Sequence, residues 1–196
     1  MASLFDTLQA NAFRAGVTAR TKESQKWFQD KIKDLPNPSR KKLLTDPALD
    51  PTTKTMVGSM YMYMYDPKTK KDLPYYDRFP LTILMSGSKK GFSGLNLHYL
   101  PYNTRALFLD ELMSLAPNKL GDTTRIRTLR YELIAGAQKY KEFKPCFKQY
   151  LNSHVKSRFV RVPMTDWEIA IFLPVEQFVK KNKTSVWTES LKIAKG

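Results

Sequence analysis

The stretch from Ser59 to Asp66, SMYMYMYD, decides the predicted fold. Methionine and tyrosine alternate there with a period of two residues, which is typical of a β-strand because successive side chains point to opposite faces. Both the methionine face and the tyrosine face are apolar enough to be buried. The sequence therefore predicts a strand with packed residues on both sides.

Three further stretches favour an antiparallel sheet around this strand. LTILM (Leu81–Met85) and FSGLNLHYL (Phe92–Leu100) are predicted strands, joined by a hairpin-like connection that contains Gly87 and Gly91. VKSRFVRV (Val155–Val162) alternates basic and apolar residues and is predicted to be a returning strand. The expected strands lie near residues 58–65, 80–86, 92–99 and 155–162.

Helical patterns lie mainly before the last of these strands. One apolar stripe predicts a helix from Asn103 to about residue 115, and another predicts a longer helix from about residue 122 to 140. A short helix is expected after Pro145. Thr165-x-x-Glu168 matches a capping box, and the tail is expected to be a final helix or an ordered extension. The predicted fold class is α+β: a small antiparallel sheet or partial β-barrel with inserted helices.

Residues 1–54 are predicted to be a helical N-terminal arm with a linker, and residues 55–196 an α+β body. Two amphipathic helices are expected in the arm, the second from Thr21 to Leu35, where Pro36 and Pro38 end it. Thr45–Lys54 is predicted to be the linker. Helices with little of their own to pack against would dock on a neighbouring subunit or wrap the body. The candidate partner-docking residues are Leu4, Phe5, Phe13, Trp27 and Phe28.

The charge of the chain favours a polyanionic partner. Its 33 Lys and Arg against 18 Asp and Glu give a formal net charge of +15 on 196 residues. The excess is concentrated, since residues 123–161 carry ten basic and two acidic side chains. Such an excess usually has a polyanion to neutralise it, and nucleic acid is the first candidate.

Basic residues within this stretch alternate with aromatic ones, a pattern that suits phosphate contacts and base stacking. The alternatives are a solvated helix face and, for residues 155–162, an edge strand guarded by charge. Two lysine-rich loops, KTKK (Lys68–Lys71) and SKKG (Ser88–Gly91), are expected to be ordinary solvated turns unless they lie on the same side as the basic residues of the helices. The candidate nucleic-acid-binding residues are Arg125, Arg127, Arg130, Lys139, Lys141, Lys144, Lys148, Lys156 and Arg158.

Several classes of function are disfavoured by what the sequence contains. Cys146 is the single cysteine and there are two histidines, too few for a Cys/His zinc site, so no metal and no cofactor are expected. No apolar run is long enough to span a membrane. His98 is expected to be a structural histidine, and no nucleotide-binding or nuclease motif is recognisable. The sequence therefore predicts a protein that is not an enzyme.

Three stretches resemble proteins of large contractile-tailed bacteriophages of the T-even type. They are Tyr65–Leu81, Gly91–Leu112 and Tyr150–Phe178. Within that group the chain is most similar to the DNA end protector family, and the similarity covers roughly residues 60–190. The resemblance implies a virion protein that lies on the end of the packaged genome and shields it from host exonuclease. It implies no cofactor and assigns no site residues.

The sequence thus predicts a non-enzymatic virion protein that binds double-stranded DNA through phosphates, in genome end protection or head–tail completion. It would be assembled in the host cytoplasm and would also contact other virion proteins. The alternative is a structural tail, neck or baseplate subunit that docks on other virion proteins. A weaker alternative is an RNA-associated protein.

Overall fold

A six-stranded antiparallel sheet forms the centre of the fold. The computed structural model describes residues 3–114, 124, 128, 141 and 144–195. The strand order is β1-β7-β2-β4-β5-β6, and a separate two-stranded sheet pairs β3 with β8. Within the described residues the larger sheet is open, so the α+β prediction is confirmed in its antiparallel-sheet form. The strands are β1 (Asp50–Thr52), β2 (Met60–Met62), β3 (Tyr76–Asp77), β4 (Leu81–Gly87), β5 (Gly91–Asn96), β6 (Phe147–Leu151), β7 (Phe159–Val162) and β8 (Phe178–Val179).

Around β2 both faces of this sheet are buried, as the alternation there predicts. Met60 and Met62 belong to the main hydrophobic core. Tyr61, Tyr63 and Tyr65 lie on the opposite face in a second, mainly aromatic cluster. The regular hydrogen-bonded strand covers Met60–Met62, while the tyrosine pattern continues to an isolated bridge between Tyr65 and Val155.

Two strands lie where the sequence predicted something else. β6 occupies a segment expected to be a short helix, and it pairs with β5 from Leu95↔Phe147 to Gly91↔Leu151. β1 lies within the expected linker and pairs with β7. In both cases pairing with a distant strand decides the conformation, and such pairing is not visible in local propensity.

Six helices lie in the part of the chain that the structure describes. The last one carries Val186, which is fully buried. No described helix is long and apolar enough to cross a membrane. The helices are α1 (Leu4–Arg14), α2 (Lys22–Lys33), α3 (Arg40–Leu43), α4 (Tyr102–Ser114), α5 (Trp167–Ala170) and α6 (Lys183–Lys195).

The arm helices form where the sequence predicts and begin with local caps. The Ser3 hydroxyl accepts a hydrogen bond from the backbone N–H of Asp6 at the start of α1. Thr21 and Ser24 form a reciprocal capping box at the start of α2. These caps satisfy backbone donors that a helix N-terminus would otherwise leave unpaired. Of the predicted helix from about residue 122 to 140, Thr124 and Thr128 are described and are helical, and the rest lies outside the described residues.

The arm packs on the chain's own body. Phe5 and Phe28 are 0% and 1% exposed and belong to the main core, so their assignment to a partner surface is corrected. Leu4 and Trp27 are partly buried against the same core. Phe13, at 84% exposed, is the one residue of that set with a largely free side chain. Phe5 from α1 and Phe28 from α2 fill part of the main core. Burial of these apolar rings favours packing of the arm on the body.

The capping box predicted at Thr165 does not form. Thr165 lies inside a 3-10 turn, Met164–Asp166, and α5 begins without a side-chain cap. The Glu168 carboxylate instead accepts hydrogen bonds from the Ser24 hydroxyl at 2.7 Å and the Arg20 backbone N–H at 2.9 Å. Glu168 therefore links the body to the arm through hydrogen bonds.

Candidate nucleic-acid interface

A cleft of about 710 Å³ opens between three segments that are distant in sequence. One wall is the loop 65–76, which contains KTKK, and the second is the β4–β5 hairpin. The third is β6, whose residues 148–151 line the cleft beside β5. The cleft exists because β6 pairs with β5 and places its side chains next to the hairpin.

Both loops of the cleft are anchored by hydrogen bonds. The Lys180 ammonium donates to the carbonyls of Lys71 and Leu73, each at 2.7 Å. The Asn152 amide donates to the carbonyls of Ser88 and Lys89 at 3.1 and 3.2 Å. These hydrogen bonds hold the backbones of the two lysine-rich loops in defined positions. An ordinary solvated turn has no such side-chain anchor from a distant segment.

Aromatic rings form much of the cleft lining. Phe92 and Tyr150 stack with their centroids 5.0 Å apart, on adjacent strands. Tyr99 contacts Phe178 edge to face at 5.2 Å. Of the described aromatic residues that line the cleft, Tyr75 and Tyr76 are half-buried and the others are buried. The cleft therefore presents two partly accessible rings on a rigid aromatic base.

Three lysines line the same cleft: Lys68, Lys90 and Lys148. Lys68 and Lys90 are exposed, whereas Lys148 is half-buried with its Nζ 4.0 Å from the centroid of the Tyr99 ring. Among the described residues, no carboxylate lies within ion-pair distance of any of the three. Burial lowers the pKa of Lys148, an effect that the nearby Cys146 partly opposes. Lys148 is thus a partly desolvated cation with no carboxylate beside it among the described residues.

Asp77, the acidic residue of the cleft lining, has its hydrogen-bond partners within the protein. Its carboxylate accepts hydrogen bonds from His98 Nδ1 at 2.7 Å and from the backbone N–H groups of Phe79 and Gln177 at 3.0 Å each. Burial raises the pKa of Asp77, but the attraction of His98 and these hydrogen bonds outweigh it, so the pKa is lowered overall. Asp77 is 3% exposed. Its charge therefore does little to offset the lysines in the cleft.

The structural role predicted for His98 agrees with its surroundings. It lies in a 3-10 turn, Leu97–Tyr99, directly after β5 and is fully buried. Its carbonyl accepts hydrogen bonds from Trp187 Nε1 at 2.8 Å and Arg105 Nη2 at 3.3 Å. Arg105 is fully buried and lies 3.7 Å from the carboxylate of Glu176. This network connects the base of the cleft to α4 and α6.

The predicted nucleic-acid-binding residues are distributed over several places. Arg125, Arg127, Arg130 and Lys139 lie outside the described residues. Lys141 and Lys144 are exposed and adjacent, with the Lys144 N–H donating to the Lys141 carbonyl at 3.2 Å. Lys148 is the member of the set that lines the cleft.

Lys156 and Arg158 line a second, shallower depression of about 430 Å³, together with Ser157. They precede β7, which begins at Phe159, so the segment 155–158 is not a regular strand. The Ser157 hydroxyl accepts from the Met64 N–H at 2.9 Å and donates to the Arg158 carbonyl at 2.8 Å. Both basic side chains are exposed.

Lys68 and Lys90 line the cleft but are not among the residues that the sequence predicts for nucleic-acid binding. Each lies in a short turn that looks like an ordinary solvated loop. Both loops lie beside one of the predicted basic residues, because β6 brings Lys148 to them. A prediction of β6 as a strand beside β5 would have placed Lys148 near Lys68 and Lys90. Among the described residues, no group of three or more His, Cys, Asp and Glu could hold a metal ion.

A positively charged, aromatic-lined surface on an α+β scaffold is typical of proteins that bind nucleic acid. The family model described as phage T4 terminal DNA protecting protein matches residues 1–192. The chain therefore belongs to that bacteriophage family. The match includes the N-terminal arm, which the resemblance seen in the sequence leaves out. No curated protein and no solved structure matches the chain.

Proposed function

We propose that this protein binds the end of linear double-stranded DNA in the virion and shields it without catalysing a reaction. Membership of a terminal DNA protecting family supports a role at DNA ends. The observation that carries the proposal is the cleft in which Lys68, Lys90 and Lys148 lack carboxylate partners among the described residues. A phosphate backbone supplies the missing negative charge, and its displaced counterions favour binding.

The basic residues outside the cleft extend this proposed contact with phosphates. They are Arg125, Arg127, Arg130, Lys139, Lys141, Lys144, Lys156 and Arg158. Changing Arg125, Arg127 and Arg130 together to Glu is expected to abolish DNA binding without unfolding the body. Unchanged affinity of that folded triple variant would remove these three residues from the interface.

Linear and circular duplexes of the same sequence, compared across a salt series, test the function itself. We expect tighter binding to the linear form, protection of its ends from an added exonuclease, and a steep loss of affinity as salt increases. Equal binding to both forms would leave a general DNA-binding protein. No binding at low salt would contradict the proposal.

Docking on other virion proteins is a second candidate function, and one observation favours it. Phe13 lies near the end of α1 with 84% of its surface exposed, although α1 is otherwise packed on the core. A Phe13→Ser change is expected to leave DNA binding unchanged and to reduce assembly into virions in a complementation assay. Normal assembly would exclude this contact.

A further inference from the structure

We infer that the cleft holds an unpaired strand end of the DNA, about one or two nucleotides long, while the duplex lies outside it. This inference rests on the proposed function, because it specifies which part of the DNA end enters the site.

The size of the cleft favours single nucleotides over a duplex. Its volume of about 710 Å³ lies within the range of pockets that enclose molecules of the size of a nucleotide. The loop 65–76 and the β4–β5 hairpin line two sides of this cleft. Unpairing is easiest at a DNA end, where a base has a stacking neighbour on one side only.

The aromatic lining favours nucleobases. Every base has a flat face that stacks on an aromatic ring, so stacking tolerates any sequence. Tyr76 is half-buried in β3, where it pairs with Val179 of β8. Tyr75 is half-buried beside it, and its ring is 4.7 Å from the Lys181 ammonium. The Tyr75 ring and the backbone of Tyr76 are therefore held in place before any ligand arrives, which lowers the entropic cost of binding.

The lysines are arranged to follow a strand that enters the cleft. Lys68 and Lys90 project from two different loops, whereas Lys148 lies on β6 against Tyr99. Lys148 therefore places a positive charge beside the aromatic lining, where a phosphate next to a stacked base would lie. The Ser86 and Ser93 hydroxyls, 2.6 Å apart, also line the cleft and offer hydrogen bonds to base edges.

The test uses the full chain and hairpin-closed DNA duplexes labelled at the closed end. Each duplex has one open end that is blunt or carries a short 3′ or 5′ overhang. Fluorescence anisotropy is expected to show that at least one overhang binds about tenfold more tightly than the blunt end. Tyr76→Leu should remove that advantage, and Tyr76→Phe should keep it.

A matched lysine pair tests the charge in the same assay. Lys90→Ala should weaken overhang binding more than blunt-end binding. Lys89→Ala, in the same hairpin but outside the lining, should weaken both by the same small factor. Circular dichroism of each variant checks that it is folded.

The possible results separate this inference from the proposed function. Equal affinity of the wild type for blunt and overhanging ends overturns the inference and leaves end binding intact. Equal loss of both affinities in Tyr76→Leu, with Tyr76→Phe unaffected, places Tyr76 on the duplex contact and also overturns it. A wild type that does not distinguish linear from circular duplex contradicts the proposed function itself.

Discussion

At the scale of single residues, the partly buried charge of Lys148 lowers the stability of the folded chain. An ammonium group half-buried against an aromatic ring loses hydration and gains no carboxylate partner within the described residues. A partly buried cation without a carboxylate partner is destabilising even where a ring offsets part of the cost, and such positions are characteristic of functional sites. The energetic cost at Lys148 is understandable if an external anion occupies the cleft.

Replacement of Lys148 by Met should therefore raise stability and weaken DNA binding. The methionine side chain keeps the apolar contacts without the charge, so the free energy of unfolding at neutral pH should increase by about 1 kcal/mol. Thermal unfolding and anisotropy measure the two effects. Lys144→Met, at an exposed position, is the control and should leave stability unchanged. A less stable Lys148→Met protein would contradict this account.

The same residue gives a pH dependence with a definite sign. Burial lowers the pKa of Lys148 in the folded chain below its ordinary value of 10.5. Between the lowered and the ordinary pKa the unfolded chain binds more protons, so the free energy of unfolding rises with pH there. Urea unfolding of the wild type in alkaline buffer should show this increase relative to Lys148→Met. Parallel pH profiles of the two proteins would refute it.

Asp77 is the opposite case, an ionised group that the fold stabilises. Asp77→Asn removes the negative charge that His98 and two backbone N–H groups contact, and should cost about 2 to 4 kcal/mol. The wild type should lose stability as pH falls from the ordinary value of 3.8 through the lowered folded pKa. Denaturant titrations at neutral and acidic pH should show that the variant lacks this acid-dependent loss.

At the scale of elements, the cleft depends on how closely β5 and β6 approach. Gly91 pairs with Leu151, and a β-carbon at position 91 would collide with the backbone oxygen of Tyr150. A glycine is therefore required where the hairpin meets β6. The strand that carries Lys148 can lie beside the hairpin only because this position has no side chain.

Gly91→Ala should push β6 away, cost about 1 to 3 kcal/mol and weaken binding of overhanging DNA. Gly87→Ala, at the other end of the hairpin turn, is the matched control because its β-carbon would meet nothing within 4 Å. Chemical denaturation and anisotropy should separate the two variants. Equal stability of both would show that β6 can accommodate the extra carbon.

Periodicity was sufficient to predict the elements that carry their own pattern. β2, β4 and β5 and the helices α1, α2 and α4 lie close to where the sequence places them. β6 and β1 could not be found in this way, because each owes its conformation to hydrogen bonds with a strand far away in the sequence. Without β6, Lys148 was recognised as basic but could not be placed beside Lys68 and Lys90.

At the scale of the whole molecule, several of the described acidic residues pair with cations other than the three lysines of the cleft. Asp50 pairs with Arg161 at 2.6 Å, Asp30 with Lys33 and Asp66 with Lys70, each at 3.0 Å. The net charge of +15 is therefore not balanced evenly over the surface. A net positive field of this kind attracts DNA from a distance and acts more on the association rate than on specificity.

The slope of DNA affinity against salt concentration should report how many lysines contact phosphates. On duplex DNA, each phosphate contact contributes about 0.9 to the slope of log affinity against log salt. Lys68→Ala, Lys90→Ala and Lys148→Met should each reduce the slope by up to that amount. Lys33→Ala, which removes a residue paired with Asp30 on α2, should leave it unchanged. Affinity measured from low to moderate salt gives the slopes. If the cleft variants lowered affinity while keeping the wild-type slope, their lysines would act by supporting the fold, and the phosphate contacts would have to lie elsewhere on the basic surface.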